Sequence, residues 1–248
     1  MAVSLNPVVV IPARMASTRL PGKPLADIGG YPMIVQVLKR AQEADVGPVI
    51  VACGDEEIAS VVRDAGGHAI LTKPDHPSGS DRAFEAVEVF DPSAKFDAVI
   101  NLQGDLPALD PAAVRASLNA LEANGADIAT LVAEIQDEEE LDDENAVKAV
   151  VSLEGSARFG RALWFTRLKA PWGAGPHFHH IGIYAYRRAA LKKFVSLPPS
   201  PLEKREKLEQ LRALEAGMQI DAALVDTVPL GVDTPEDLRR VREMFKNR

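Results

Sequence analysis

Strand-like and helix-like segments alternate with short connections along about the first 135 residues, and this alternation limits the fold more than any other feature of the sequence. The first segment, 8–11, is the β-branched run VVVI, which is typical of a strand buried on both faces. Apolar residues then recur at helical spacing over 34–41. The other predicted strands are 49–52, 69–71, 98–102 and 128–132, and the other predicted helices are 55–64, 82–90 and 111–124. This pattern predicts an α/β fold with parallel strands and helices on both faces.

The second part of the sequence has a different pattern. After an acidic run at 137–144, which we interpret as a solvated loop, several strand-like pieces follow without helices between them. The predicted strands are 148–151, 162–165, 181–186 and 220–225, and the predicted helices are 201–216 and 234–245. We therefore predict a single α/β domain over 1–248, with a mixed sheet, a β-rich insertion over 137–195 and a returning carboxy-terminal helix.

Composition excludes several classes of function. The net charge of −8 creates a field that repels nucleic acid and anionic membranes, and no apolar run is long enough to cross a bilayer. We expect no secretory signal, because the amino terminus lacks a basic start and its apolar stretch is short. The single cysteine, Cys53, cannot form a disulfide within the chain, which favours a cytoplasmic location. In such an acidic chain, a local cluster of cations is informative.

One such cluster follows the first strand. Within 12–24, three cations and two hydroxyl groups come close together: Arg14, Arg19, Lys23, Ser17 and Thr18. In open α/β sheets, ligands bind beyond the carboxyl ends of strands, where this loop is expected. Arginine and lysine side chains at that place favour a phosphate site. The loop matches neither the GxxxxGK[ST] pattern nor the GxGxxG pattern.

One aspartate is a candidate metal ligand by its position, and a second aspartate is ambiguous. Asp105 follows Gly104 at the end of a predicted strand, which suits magnesium when phosphates share the site, although Gly-Asp is also a common turn. Asp233 precedes a helix start in which Thr234 is the predicted cap and Pro235 the first helical residue, so from these residues alone we interpret Asp233 as structural.

Two further polar segments have weaker signals. The stretch that contains His76, Ser78 and Arg82 reads as a helix entry, with Ser80 or Asp81 as its cap. The histidines at 177, 179 and 180 lack the spacing of a zinc site, and the chain has only one cysteine. His180 and Tyr184 are four residues apart in a predicted strand, so they should share a face, lining either a cleft or the core.

Five segments together closely resemble the 3-deoxy-manno-octulosonate cytidylyltransferases: PARMASTRLPGKPLADIGGYPMI, NLQGDLP, HIGIYAYR, SPLEKREKLEQLR and GVDTPEDLRRV. The resemblance spans essentially the whole chain. It implies a Rossmann-like nucleotidyltransferase fold of the nucleotide-diphospho-sugar transferase type. It also implies a homodimer that couples CTP and 3-deoxy-D-manno-octulosonate (Kdo) into CMP-Kdo and pyrophosphate with Mg²⁺. CMP-Kdo supplies lipopolysaccharide assembly. The insertion over 137–195 would then bind the sugar and form the dimer.

The same resemblance implies roles for particular residues. The catalytic residues would be Arg14, Arg19, Lys23, Asp105 and Asp233, of which Asp105 and Asp233 would bind the metal. The nucleotide-binding residues would be Arg14, Ser17, Arg19, Lys23, Lys73, Ser78, Arg82 and Gln103. The sugar-binding residues would be Gln103, Arg167, His180, Tyr184, Glu209 and Gln210.

Two positions depart from the family pattern. Leu106 stands where many members have glutamate in QGDEP, so a carboxylate is lost there, and Lys73 stands where some relatives have arginine. Three alternatives stay open. The sugar could be the 8-amino relative of Kdo or another 2-keto-3-deoxy acid. The chain could instead be a nucleotide-sugar glycosyltransferase, although the second aspartate of Asp-x-Asp is missing, or a CTP-binding protein without catalysis.

Overall fold

The computed structural model describes residues 4–17 and 19–246, and it divides into two compact units. The first, which we call the parallel unit, comprises Asn6–Arg115 and Pro229–Arg248. The second, the mixed unit, is built mainly from Ala116–Val228. Thr18, one of the two hydroxyl donors expected in the basic loop, lies outside the described residues. None of the described helices combines the length and the apolar character that crossing a membrane requires.

The parallel unit contains the predicted alternation of strands and helices. Its strands are β1 (Pro7–Ala13), β2 (Asp27–Ile28), β3 (Tyr31–Pro32), β4 (Val49–Cys53), β5 (His68–Leu71) and β6 (Ala98–Asn101). Its helices are α1 (Met33–Glu43), α2 (Glu56–Asp64), α3 (Gly79–Phe90) and α9 (Pro235–Lys246), while α4 (Pro111–Ala123) crosses the sequence boundary into the mixed unit.

Four of these strands form a parallel sheet in the order β5-β4-β1-β6. The central strand β1 has Val8, Val9, Val10 and Ile11 fully buried, as the β-branched run predicts. Because parallel strands end at the same edge of a sheet, the segments that follow β1, β4 and β6 lie close together. These segments begin at Arg14, Gly54 and Leu102.

The mixed unit has a sheet of both parallel and antiparallel strands. Its elements are β7 (Ile128–Glu134), α5 (Glu138–Asp142), β8 (Lys148–Ser152), β9 (Phe159–Thr166), β10 (Phe178–Arg187), α6 (Arg188–Ser196), α7 (Pro201–Glu206), α8 (Leu211–Glu215) and β11 (Ile220–Val225). The strand order is β10-β7-β11-β9-β8, and β10 also pairs with β8. Only β7 and β11 run parallel among these pairs. The mixed sheet is confirmed, and the predicted insertion, 137–195, lies within this unit.

The structure differs from the predicted helices at three places. The predicted helix 201–216 is two helices, α7 and α8, because Lys207 adopts a left-handed backbone with φ of 57° and ends the first of them. Helix α6 was not predicted, since it follows β10 directly without a loop. The acidic run contains the short helix α5, which Asp137 caps by accepting a hydrogen bond from the backbone N–H of Glu139.

The start of α3 also differs from its prediction. The helix begins at Gly79 rather than at 82, and its cap is Ser78, not Ser80 or Asp81. The Ser78 hydroxyl accepts hydrogen bonds from the backbone N–H groups of Ser80 and Asp81 and donates one to the Asp81 carboxylate. At the start of α9, by contrast, the predicted cap at Thr234 is confirmed, because its hydroxyl accepts a hydrogen bond from the backbone N–H of Asp237.

Candidate active site

A cavity of about 410 Å³ opens in the parallel unit at the carboxyl edge of its sheet. Many of the predicted site residues line it: Arg14, Ser17, Arg19, Lys23, Ser78, Arg82, Gln103, Asp105 and Asp233. They come from the segments after β1 and β6, from the start of α3 and from the residue that precedes the cap of α9. Four cations and two carboxylates stand among these side chains, so the lining carries a net positive charge inside an acidic chain.

Lys23 holds the two predicted metal-binding aspartates together. Its ammonium donates hydrogen bonds to Asp105 Oδ2 at 2.7 Å and to Asp233 Oδ1 at 2.9 Å. Burial by itself would lower the pKa of Lys23, but the two carboxylates outweigh burial and hold the pKa above its ordinary value. The ammonium therefore stays charged at neutral pH, and both carboxylates converge on a single cation.

Local backbone geometry places Lys23 in this position. The residue begins a short 3-10 turn, Lys23–Leu25, whose preceding residue, Gly22, has a left-handed φ of 68°. Glycine adopts this conformation without steric cost. The chain can therefore reverse direction at Gly22 and point Lys23 back towards the sheet edge.

Asp233 reaches the cavity because the end of the chain packs onto the segments that follow β1. Backbone N–H of Val232 donates a hydrogen bond to the carbonyl of Asp105 at 3.0 Å. On either side of Asp233, apolar residues join one buried cluster that includes Ile28, Met33, Val232, Leu238 and Val241. The neighbours of Asp233 therefore have the structural roles, because they cap and pack the helix. The carboxylate of Asp233 itself faces the cavity.

The two arginines of the loop differ in their contacts. Arg19 donates a hydrogen bond from Nη2 to Asp233 Oδ2 at 3.1 Å, and 68% of its side chain is exposed. Arg14 is exposed as well and lines the cavity. Such exposed guanidinium groups are accessible to a phosphate ligand.

Arg82 is a buried cation in the cavity wall. Its guanidinium donates hydrogen bonds to the Thr72 hydroxyl at 2.6 Å and to the Pro74 carbonyl at 3.0 Å. Burial, and then the charge of Arg14, lower its pKa from the ordinary value. A Cβ on Gly54 would lie 2.7 Å from Arg82 Nη1, so glycine at position 54 leaves the space that this guanidinium occupies.

A predicted nucleotide-binding residue, Lys73, and a position that departs from the family pattern, Leu106, lie outside this cavity lining. Lys73 is exposed and does not line the cavity, and its backbone N–H donates a hydrogen bond to Glu85 Oε2 at 3.3 Å. Its nucleotide-binding role stays a prediction. Leu106, which replaces the family's glutamate, is buried and packs near Gly231. The Leu106 side chain thus contributes to the buried interior next to Asp105. The carboxylate of Asp105 remains in the cavity.

His76 lines the cavity and was missing from the predicted site. Its Nε2 contacts the carboxylate of Glu85, a residue of α3. The signal that could have identified it is its place in the polar segment between β5 and α3, where the sequence favoured a simple helix entry.

The predicted sugar-binding residues other than Gln103 belong to the mixed unit. His180 and Tyr184 lie on β10 with ring centroids 5.6 Å apart, so they share a face as predicted. Gln210 is buried at the start of α8, and Glu209 contacts Arg212. Their sugar-binding roles stay predictions.

Arg167 is held in place by backbone carbonyl groups. Its Nε donates a hydrogen bond to the carbonyl of Glu206 at 3.0 Å, and its Nη1 donates one to the carbonyl of Glu144 at 2.8 Å. These contacts orient the guanidinium from two directions. An arginine fixed in this way is suited to hold a carboxylate with its remaining N–H groups.

His180 is neutral at physiological pH. Its ring is buried, its Nε2 lies 3.0 Å from the Thr130 hydroxyl, and burial lowers its pKa from 6.5 to about 3. Any contact that His180 makes with an anionic ligand is therefore a hydrogen bond from an uncharged ring.

This low pKa predicts a specific loss of stability in acid. The unfolded chain binds a proton at His180 below the ordinary pKa of 6.5, whereas the folded ring does not until about 3. The free energy of unfolding should therefore fall as pH drops between these values, by about 1.4 kcal/mol per pH unit from this group. The free energy of unfolding, measured with urea, should change less between neutrality and about pH 5 in His180→Gln than in the wild type. His68→Gln, an exposed control, should keep the wild-type difference. If the free energy of unfolding changed equally with pH in His180→Gln and in the wild type, the low pKa of His180 would be contradicted.

Comparisons with known proteins show which family the chain resembles. Residues 8–220 match the cytidylyltransferase family. The chain is 65% identical to a 3-deoxy-manno-octulosonate cytidylyltransferase of Rhodospirillum centenum over 98% of this chain and 95% of that protein. A protein of the same name from Paramagnetospirillum magneticum is 61% identical over 98% of both chains.

A solved structure extends the agreement to the fold. CMP:2-keto-3-deoxy-manno-octonic acid synthetase complexed with CTP superposes with a TM-score of 0.89 at 39% identity, and covers 98% of this chain and 99% of that one. The predicted Rossmann-like nucleotidyltransferase fold with a mixed sheet is confirmed. The chain therefore belongs to the 3-deoxy-manno-octulosonate cytidylyltransferase family and is a nucleotidyltransferase.

Proposed function

We propose that this chain transfers CMP from CTP to the anomeric hydroxyl of Kdo and releases CMP-Kdo and pyrophosphate. The observation that carries the proposal is the convergence of Lys23, Asp105 and Asp233 inside a cation-lined cavity, in a chain of this family. CMP-Kdo made in this way would supply lipopolysaccharide assembly. We place the reaction in the cytoplasm, with which the single buried cysteine, Cys53, is consistent.

The cavity addresses the main physical difficulty of this reaction, which is that both substrates are anions. Arg14, Arg19 and Lys23 would neutralise the triphosphate of CTP, so that the sugar acid can approach it. The anomeric oxygen of Kdo forms a bond to the α-phosphorus, while the bond from that phosphorus to the bridging oxygen of pyrophosphate breaks. Lys23 and Arg19 would stabilise the charge that develops on pyrophosphate.

The remaining predicted residues would bind the nucleoside and the sugar. Ser78, Arg82 and Gln103 line the same cavity and would contact the nucleotide. For the sugar acid, the family resemblance assigns the carboxylate to Arg167, whose guanidinium is already oriented by backbone carbonyls. Contacts of this kind align the two reacting atoms and so raise the rate.

Asp105 and Asp233 fit a magnesium ion. The two carboxylates already share one cation, the Lys23 ammonium, so they are oriented towards a common point. Mg²⁺ is commonly bound by one or two carboxylates together with substrate phosphates and water, which matches a site with these two protein ligands. When bound, Mg²⁺ would neutralise phosphate charge and favour loss of the proton from the sugar hydroxyl.

Release of pyrophosphate tests the proposal directly. The protein is incubated with CTP, Mg²⁺ and Kdo, and pyrophosphate and CMP-Kdo are measured, with the 8-amino analogue of Kdo and sialic acid as competing substrates. We expect product from Kdo at the highest kcat/KM. A higher kcat/KM for the amino analogue would make that analogue the substrate instead of Kdo. Transfer from a nucleotide sugar would indicate a glycosyltransferase. CTP binding without pyrophosphate release would indicate a non-catalytic protein.

We also infer that a second copy of the chain covers an exposed apolar segment of the mixed unit. Within 163–172, Leu163 is 57% exposed, Leu168 is 68% exposed and Trp172 is fully exposed. Large apolar side chains concentrated in one segment are typical of an interface, and the family resemblance implies a homodimer.

Light scattering after size-exclusion chromatography tests this inference. The wild type should have twice the chain mass of 26.7 kDa, whereas the double variant Leu168→Arg, Trp172→Ser should have the single-chain mass. Val89→Ser alters an exposed apolar residue of the parallel unit and should leave the dimer intact. A wild type of single-chain mass, or a double variant that remains dimeric, would contradict the inference.

A further inference from the structure

Asp55 is the residue before α2. An aspartate at this position usually caps its helix, but the Asp55 side chain makes no capping hydrogen bond. The backbone there has the extended conformation of a cap, with φ of −139° and ψ of 137°, and the Asp55 carbonyl accepts the hydrogen bond of Ala59 at 3.2 Å. The carboxylate is directed elsewhere. Its Oδ2 accepts a hydrogen bond from the backbone N–H of Met15 at 2.8 Å, forty residues away in sequence.

This contact continues the pairing of β1 with β4 beyond the ends of both strands. The strand register ends at Ala13 and Cys53, and the N–H of Gly54 then donates to the carbonyl of Ala13 at 3.0 Å. Asp55 adds the next link through its side chain. The main chain on both sides of Arg14 is thereby tied to the segment that follows β4.

We propose that Asp55 is a positioning residue that fixes the start of the basic loop and so presents Arg14 to the phosphates of the nucleotide. The Asp55 side chain supplies an acceptor oxygen at hydrogen-bond distance from the Met15 N–H, so it can hold an otherwise irregular segment. Within the residues that the structure describes, no hydrogen bond anchors the exposed Arg14 side chain itself. Its main chain, between two fixed points, sets the direction from which the guanidinium enters the cavity.

The proposal extends the proposed function, since Arg14 matters only if the cavity binds a nucleotide. Its experiment therefore has two readouts, of which one does not depend on turnover. Limited digestion with trypsin reports the order of the loop, because Arg14 and Arg19 are followed by Met15 and Leu20 and are cleavable when the loop opens. Steady-state kinetics with CTP and Kdo reports the effect on substrate binding.

Three variants separate the possible causes. Asp55→Ser places a side chain that favours the cap position at the start of α2 but is too short to reach Met15, so the helix is preserved while the anchor is lost. Asp55→Asn keeps an acceptor oxygen at the same distance and removes only the charge. Glu57→Ala removes an exposed acid from the first turn of the same helix and serves as the control.

We expect Asp55→Ser to be cleaved about tenfold faster after Arg14 and Arg19, and its kcat/KM for CTP to fall by about 10²-fold through a higher KM. Asp55→Asn should recover most of both losses, and Glu57→Ala should behave as the wild type. Wild-type cleavage and KM in Asp55→Ser would overturn the proposal. So would an Asp55→Asn variant as impaired as Asp55→Ser, because the charge rather than the anchor would then be responsible. A wild type that is inactive towards CTP and Kdo would overturn the proposed function, while the trypsin comparison would still test the anchor.

Discussion

Replacing Lys23 with alanine should lower kcat for CMP transfer by about 10²–10³-fold, the usual cost of losing a charge that stabilises a transition state. Lys23 is the cation shared by Asp105 and Asp233, and its raised pKa keeps it protonated. Without the ammonium, two carboxylates face each other with no lysine between them, and the departing pyrophosphate loses a positive partner. The loss should therefore appear in kcat as well as in kcat/KM, because the charge acts on the reacting phosphates.

Steady-state pyrophosphate release at saturating Kdo measures this effect. Lys39→Ala is a matched control, since Lys39 belongs to the same unit but lies over the ring of Tyr31, at 3.1 Å from its centroid. The control should keep wild-type turnover. Normal turnover in Lys23→Ala would show that the ammonium has no role in catalysis and that its ion pairs are structural only.

Changing Asp105 to asparagine should lower kcat by a similar factor, about 10²–10³-fold, and should raise the Mg²⁺ concentration needed for half of maximal activity. Asparagine has the same shape but lacks the negative charge that a hard divalent cation requires. The backbone carbonyl of Asp105 still accepts the hydrogen bond from Val232, so the fold around Asp233 should be retained.

Activity over a Mg²⁺ titration distinguishes a metal ligand from a mere partner of Lys23. If Asp105 binds the metal, excess Mg²⁺ should partly restore activity to Asp105→Asn. Asp64→Asn, at the exposed end of α2, removes one aspartate of the same unit and should show the wild-type titration. An Asp105→Asn curve with reduced height but an unchanged midpoint would contradict metal binding at this residue.

The central part of the fold and the basic loop could be predicted from sequence because their signals are local. The run at 8–11 is apolar on both faces, so it had to be a buried strand, and the loop after it had to lie at the sheet edge. The helix from 201 to 216 was predicted wrongly for a local reason as well. Its break is at Lys207, a residue type that rarely signals a left-handed turn.

The carboxylate pair could not be predicted from spacing alone. Asp105 and Asp233 are far apart in sequence, and each stands in a motif that has a common structural use. They meet because α9 returns to pack on Ile28 and Met33, which is a tertiary effect without a local signature. The position of Asp105 at a strand end suggested a metal role for that residue, but only the family resemblance paired it with Asp233. The resemblance is also the basis for the sugar-binding residues of the mixed unit. The anchor at Asp55 was missed because its sequence reads as an ordinary helix cap.

The return of α9 also governs when the cavity can form during synthesis on the ribosome. The strands and the basic loop of the parallel unit are translated early, but Asp233 and the cluster residues Leu238 and Val241 emerge only after the whole mixed unit. A nascent chain that stops short of them carries the loop cations without the second carboxylate. Catalytic competence is thus tied to near-complete translation, so truncated products should turn over no nucleotide.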